Sequence, residues 1–262
     1  MVSDRASKQS FFAASALLFA ASAIVTIVWC GGMPAMGDMP MPGGWSMSMT
    51  WMRMPGQTWP GAAASFAGMW SSMMAAMMLP SLVPMLWRYR QALGSTGKGR
   101  LSPLTSLMGA GYFLVWTAFG MVVFPLGVEL AGIEMRLPVL ARAVPMVAGV
   151  AVLLAGALQF TGWKARYLAC CREEPATYAS LPASPGAALR HGLRLGLHCA
   201  CCCAPLTAIL LVLGVMDLRV MAIVTAAITA ERLAPSGQRV ARGIGAVVIA
   251  TGLFLIARTA GL

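Results

Sequence analysis

Charge is scarce in this chain, and acidic charge most of all. Asp and Glu occur eight times in 262 residues and His twice, and charged residues make up 10% of the whole, against roughly a quarter in soluble domains. So low a charge content excludes an ordinary soluble domain. Two histidines and no C-x-x-C-H segment leave little for haem ligation, so a redox enzyme passing electrons through its thiols ranks last among the readings of the chain. No P-loop, phosphorylated-Asp loop or nucleotide domain is present, so any transport is passive or driven by a partner. No catalytic residues are expected.

What is abundant is apolar: 59% of the residues are hydrophobic, in several runs longer than about 18 residues, enough to span a bilayer. The chain therefore reads as all-α, a polytopic transmembrane helix bundle forming a single integral membrane domain over 1–262. The runs predict about seven helices (six possible), near 11–30, 62–87, 104–126, 139–163, 194–215, 219–233 and 241–259, of which the sixth is short. A Trp next to Cys30 argues against a signal or lipoprotein cleavage site, so the first run is expected to be a retained anchor.

A net charge of +11 would suggest nucleic acid in a soluble protein, but here it has a membrane explanation. With a cytoplasmic N-terminus, fourteen of the nineteen Lys and Arg fall inside: Arg5 and Lys8, the groups within 88–100 and 164–194, and Arg232, Arg239 and Arg242. That orientation makes 31–61 a Met-rich non-cytoplasmic loop and 164–193 a cytoplasmic loop. Pro80 and Pro84 in the second helix each remove a backbone donor and are expected to kink it. Gly109, Gly111 and Gly120 in the third suit close helix packing.

Thirteen of the twenty-one methionines lie between Met33 and Met78. Eight, from Met33 through Met36, Met39, Met41, Met47, Met49 and Met52 to Met54, sit in the Gly- and Pro-rich loop, which offers no core to fill. Met69, Met73, Met74, Met77 and Met78 sit on the second helix. A thioether is a soft ligand that does not titrate, which favours Cu(I) over hard ions; the competing reading is that Met is a flexible gap-filler in apolar packing.

The cysteines divide similarly. Cys170 and Cys171 follow Lys164 and Arg166 on the expected cytoplasmic side, where thiols stay reduced. Cys199, Cys201, Cys202 and Cys203 crowd into five residues beside His198. At about 100° per residue, His191, His198 and Cys202 fall within about 40°, with Cys199 and Cys203 just beside them and Cys201 facing away. One face would thus present imidazole and thiol together, as a metal or redox site or as small apolar packing residues. Rises of about 1.5 Å per residue put Met74–Met78 and Cys199–Cys203 at depths where they could meet below the midplane, if their helices are neighbours.

Several segments together resemble a bacterial family of predicted metal-binding integral membrane proteins, a domain family of unknown function described as copper-chaperone-like. They are the helix from Met69 to Pro80, Leu158-Gln159-Phe160-Thr161 leading through Lys164 to Cys170 and Cys171, the Cys199–Cys203 cluster, Gly214-Val215-Met216-Asp217-Leu218, and Glu231-Arg232. The family pattern has Gly at Cys201, Trp at Ala204 and Asn at Asp217, so Cys199, Cys202 and Cys203 are the firmer ligand candidates. The resemblance implies a multi-pass protein of the bacterial cell inner membrane that handles copper.

The leading expectation is a Cu(I)-binding protein of copper acquisition, transfer or delivery to a membrane cuproenzyme, in contact with membrane lipid and not with nucleic acid. Its metal contacts are expected among Met69, Met73, Met74, Met77, Met78, His198, Cys199, Cys202, Cys203, Cys170 and Cys171. The alternative is a structural or assembly subunit of a larger membrane complex, with metal incidental. Glu231 and Arg232 read as an interfacial ion pair, worth roughly 0–1 kcal/mol if exposed.

Overall fold

The computed structural model describes residues 2–32, 39–53, 56–93, 98–172 and 182–261. Of the loop methionines, Met33, Met36 and Met54 lie outside the described residues. The order is α1 (Val2–Gly32), β1 (Met39–Met41), β2 (Trp45–Met47), a 3-10 turn (Met49–Trp51), α2 (Trp59–Ala92), α3 (Lys98–Arg136), α4 (Pro138–Leu158), α5 (Gly162–Cys171), α6 (Pro185–Leu213), α7 (Leu218–Leu233) and α8 (Gly237–Ala260). α1, α2, α3, α4, α6 and α8 are long and apolar enough to cross a membrane. α7 has 16 residues, about 24 Å of helix.

Local chemistry fixes the helix starts. Thr58 accepts a hydrogen bond from the Gly61 amide ahead of α2, Ser184 from the Ala187 amide ahead of α6, and Asp217 from the Arg219 and Val220 amides ahead of α7. Each supplies an acceptor to first-turn amides that the helix itself leaves unpaired. α2 stays helical through Pro80 and Pro84.

Antiparallel contacts order the bundle. Ser7 of α1 accepts from Arg90 near the end of α2, while at the opposite end of α1 the Cys30 thiol meets the Met216 sulfur at 3.6 Å. α3 returns along α2, with the Trp70 indole donating to the Trp116 carbonyl at 2.8 Å. α3 and α6 run parallel and closely packed, because Gly192 of α6 lies against the Met108 carbonyl where any Cβ would collide. Among the expected packing glycines, Gly111 and Gly120 are sites of such close approach, to Leu189 and Trp70, whereas Gly109 has room to spare.

Two expectations are corrected. The fourth apolar run, 139–163, is not one helix: α4 ends at Leu158, Gln159–Thr161 form a turn, and α5 restarts with Thr161 accepting from the Lys164 amide. The break lets α5 lean against α6 and α7. The Met-rich loop does have a core to fill. Its hairpin pairs Met39 with Met47, and Met41 and Met47 are buried against Ala131 and Ala141 of α3 and α4, with the Trp45 indole donating to the Ala141 carbonyl. The segment 164–193 is helical at both ends, and residues 173–181 within it lie outside the described residues.

Candidate metal centre

The centre forms where α5, α6 and α7 meet α2 and α3. On α6, Cys199, Cys202 and Cys203 are all fully buried, and the Cys199 and Cys203 sulfurs, one helical turn apart, lie 3.7 Å from each other. The turn at 159–161 lets α5 pack against α6, and Cys171, also buried, belongs to the same core cluster as the three α6 thiols. Four thiols from two helices thus share one apolar interior.

The other cysteines and the histidines stand apart. Cys170 is half-buried on a different face of α5, and Cys201 is half-buried on a different face of α6. His198 is half-buried with its ring 6.1 Å from that of Tyr167, and His191 is buried and stacked on Tyr89 at 6.3 Å. The ideal-helix angles hold, but they do not say which neighbour each sector faces. The imidazole sector meets aromatic rings.

All five methionines expected on the second helix, Met69, Met73, Met74, Met77 and Met78, are buried. Met69, Met73 and Met77 rise in steps of four, about 6 Å along the axis. The same ridge continues, still buried, to Ser81 and Met85. It ends at Arg232. The guanidinium donates to the Ser81 hydroxyl at 2.8 Å, the Met85 sulfur at 3.0 Å, the Tyr112 hydroxyl at 3.3 Å and the Cys199 sulfur at 3.2 Å, and Tyr112 itself donates to Cys199 at 3.0 Å. The last thioether of α2 and the first thiol of α6 therefore share one arginine.

Arg232 does not pair with Glu231, correcting the interfacial reading. Neighbours on a helix diverge by about 100°. Glu231 turns instead to Lys164 of α5, Oε2 to Nζ at 2.6 Å, and the same ammonium donates to the Cys202 carbonyl at 2.8 Å. Lys164 and Glu231 are each 1% exposed and Arg232 3%, so all three charges are in the interior. Among the described residues the Glu231 Oε1 and Arg232 Nε atoms have no hydrogen-bond partner.

Tyr112, Arg232, Lys164, Ser81 and Met85 were not among the expected contacts. For Lys164 and Arg232 a signal was present, since each borders an apolar segment where ionisable residues mark a functional region by default; nothing in the sequence singled out Tyr112, Ser81 or Met85.

Among the described residues no three of His, Cys, Asp and Glu stand ready-arranged as metal ligands. The donor set that does converge is soft: thiols, with a thioether within one residue of them. Soft donors of this kind favour Cu(I) over a hard cation.

No curated protein and no solved structure matches the chain. One family model does, over residues 67–255, a span that begins just before Met69 and takes in the methionine ridge, the α4–α5 break, the thiol cluster and the Glu231-Arg232 pair. By that match the chain belongs to the family described as PpoB2, copper chaperone, whose membership suggests copper handling and is typically non-enzymatic.

Proposed function

We propose that this protein takes Cu(I) from the non-cytoplasmic side of a bacterial cytoplasmic membrane, holds it at the buried thiols, and delivers it inward or to a membrane cuproenzyme. In this reading the N-terminus is cytoplasmic, membrane lipid surrounds the bundle, nucleic acid is not a partner, and no reaction is catalysed. Met69, Met73 and Met77 offer neutral thioethers one turn apart along α2, so Cu(I) can move between them without proton exchange. Cys199, Cys202, Cys203 and Cys171 bind more tightly, because a thiolate adds charge to softness. His198 and Cys170 have no part in holding the ion.

The observation that carries the proposal is the burial of four thiols from α5 and α6 in one core cluster, with Cys199 and Cys203 in contact and Met85, at the end of the α2 ridge, joined to Cys199 through Arg232. Packing alone does not call for thiols on two separate helices to share one core.

The test is metal content by mass spectrometry on detergent-purified protein kept reduced, with and without added Cu(I). Copper should be retained at about one ion per chain or more, be lost in a Cys199→Ser, Cys202→Ser, Cys203→Ser triple variant, and persist in Cys201→Ser, whose side chain faces away from the cluster. Well-folded wild-type protein that retains no copper would overturn the proposal in favour of an assembly subunit with metal incidental.

A further inference from the structure

Among the described residues Arg232 is a buried cation with no carboxylate partner. The carboxylate of Glu231 is taken by Lys164, and the partners of Arg232, namely Ser81, Tyr112, Met85 and Cys199, are a hydroxyl, a phenol, a thioether and a cysteine sulfur. Guanidinium stays protonated in any protein interior. Holding it in an apolar core without a carboxylate is costly, and a neutral residue of similar shape would pack the same space without that cost. Such a charge is retained where some state of the protein sets a full anion beside it, and the Cys199 sulfur at 3.2 Å is placed to carry one.

The copper-loaded cluster is such a state. Cu(I) held by two thiolates carries one net negative charge, which Arg232 cancels. A divalent ion in its usual four-thiolate shell carries two negative charges, leaving one uncancelled beside the guanidinium. On the other side of Arg232, copper held only by thioethers such as Met85 keeps its full positive charge and is repelled at short range. The same cation thus disfavours copper on the ridge end of its reach and favours it on the thiol end.

The geometry points to Arg232 as the counter-ion that makes the thiol cluster a site for a monovalent soft ion held by two thiolates, and that drives Cu(I) from the thioethers of α2 onto Cys199. The inference rests on the reading of the cluster as the copper site. In the step, Cu(I) exchanges thioether sulfurs for two cysteine sulfurs, the two thiol protons are released to solvent, and no electron moves. Arg232 is a positioning residue here, acting on the ion through charge and without coordinating it.

The test titrates the full-length protein, reduced and in detergent, with Cu(I) against a chromophoric chelator, and separately with Zn(II). Arg232→Gln should weaken Cu(I) binding by about tenfold or more, the scale of one close charge pair at partial burial, and should narrow the preference for Cu(I) over Zn(II). Arg232→Lys should restore most of the affinity, because it keeps the charge while losing the fork. Ser81→Ala, which removes a partner of Arg232 but no charge, should cost far less than Arg232→Gln.

Equal losses in Ser81→Ala and Arg232→Gln, or wild-type affinity in Arg232→Gln, would overturn the inference. If Arg232→Gln does not fold, Arg232→Lys decides alone: affinity near that of the wild type supports the counter-ion, and a loss as large as about tenfold defeats it. Retention of copper by the triple Ser variant would sink the cluster as the site, an outcome that leaves the Arg232 measurements distinct from it.

Discussion

A lysine and a glutamate that are both 1% exposed leave no water to share the cost of their charges. Each is tolerable only because the other is 2.6 Å away and because the Lys164 ammonium has a second acceptor in the Cys202 carbonyl. Removing one partner strands the other, at a cost on the order of 3–5 kcal/mol, whereas replacing both with apolar residues of similar size is often close to neutral. Lys164→Met and Glu231→Leu should therefore each sharply lower the thermal midpoint of the detergent-solubilised protein, and the double variant should regain most of the loss. Equal or additive losses in the double variant would mean that the pair is not the dominant contact of either residue. The pair was not legible in the sequence, since Glu231 stands beside Arg232 and far from Lys164. Adjacency misled because residues one apart on a helix do not face each other. The thiols were legible, because four cysteines in five helical residues necessarily place some on one face; the contribution of Cys171 needed the fold, since it depends on how α5 turns.

At the scale of elements, the site depends on two close approaches. One is the turn at Gln159–Thr161 that frees α5 from α4. Apolarity runs almost unbroken across it, so the hydrophobic pattern alone reads one helix over 139–163; the readable sign was Thr161 followed by Gly162, a capping residue at a helix start. The other is the α3–α6 contact at Gly192, where the Met108 carbonyl leaves no room for a Cβ. Four residues on, Tyr112 reaches the Cys199 sulfur from α3, so pushing the helices apart at Gly192 should also lengthen that contact. Gly192→Ala should cost about 1–3 kcal/mol of stability, the usual range for overpacking, and should loosen the cluster, read as faster reaction of the buried thiols with a small alkylating reagent. Gly109→Ala, where the nearest atom is 3.8 Å from the added carbon, should do neither. A fall in stability from both variants alike would point to helix propensity or another cause and away from the α3–α6 seam.

For the whole molecule, six helices long enough to cross and a seventh of 16 residues were foreshadowed by runs of apolar residues, since length and composition set what a bilayer accepts. The packing of the runs was not, because parallel α3 and α6 are brought together by small residues whose partners lie far away in the chain. Direction across the membrane rests on charge: the face that carries Ser7 and Arg90 also carries most of the basic residues, and the Met hairpin sits at the far end of α1 and α2. Basic residues are held on the cytoplasmic side of short loops, so Ser10 should face the cytoplasm and the hairpin should face outward, the side from which the proposed route takes up copper. Two single cysteines test this in intact cells with a membrane-impermeant maleimide, read over the background of the native thiols. Pro42→Cys, at the exposed hairpin turn, should be labelled from outside, and Ser10→Cys, exposed near the start of α1, only after the membrane is opened. The reverse pattern would invert the bundle, put the methionine ridge's outer end on the cytoplasmic side, and turn the proposed uptake route into one of export.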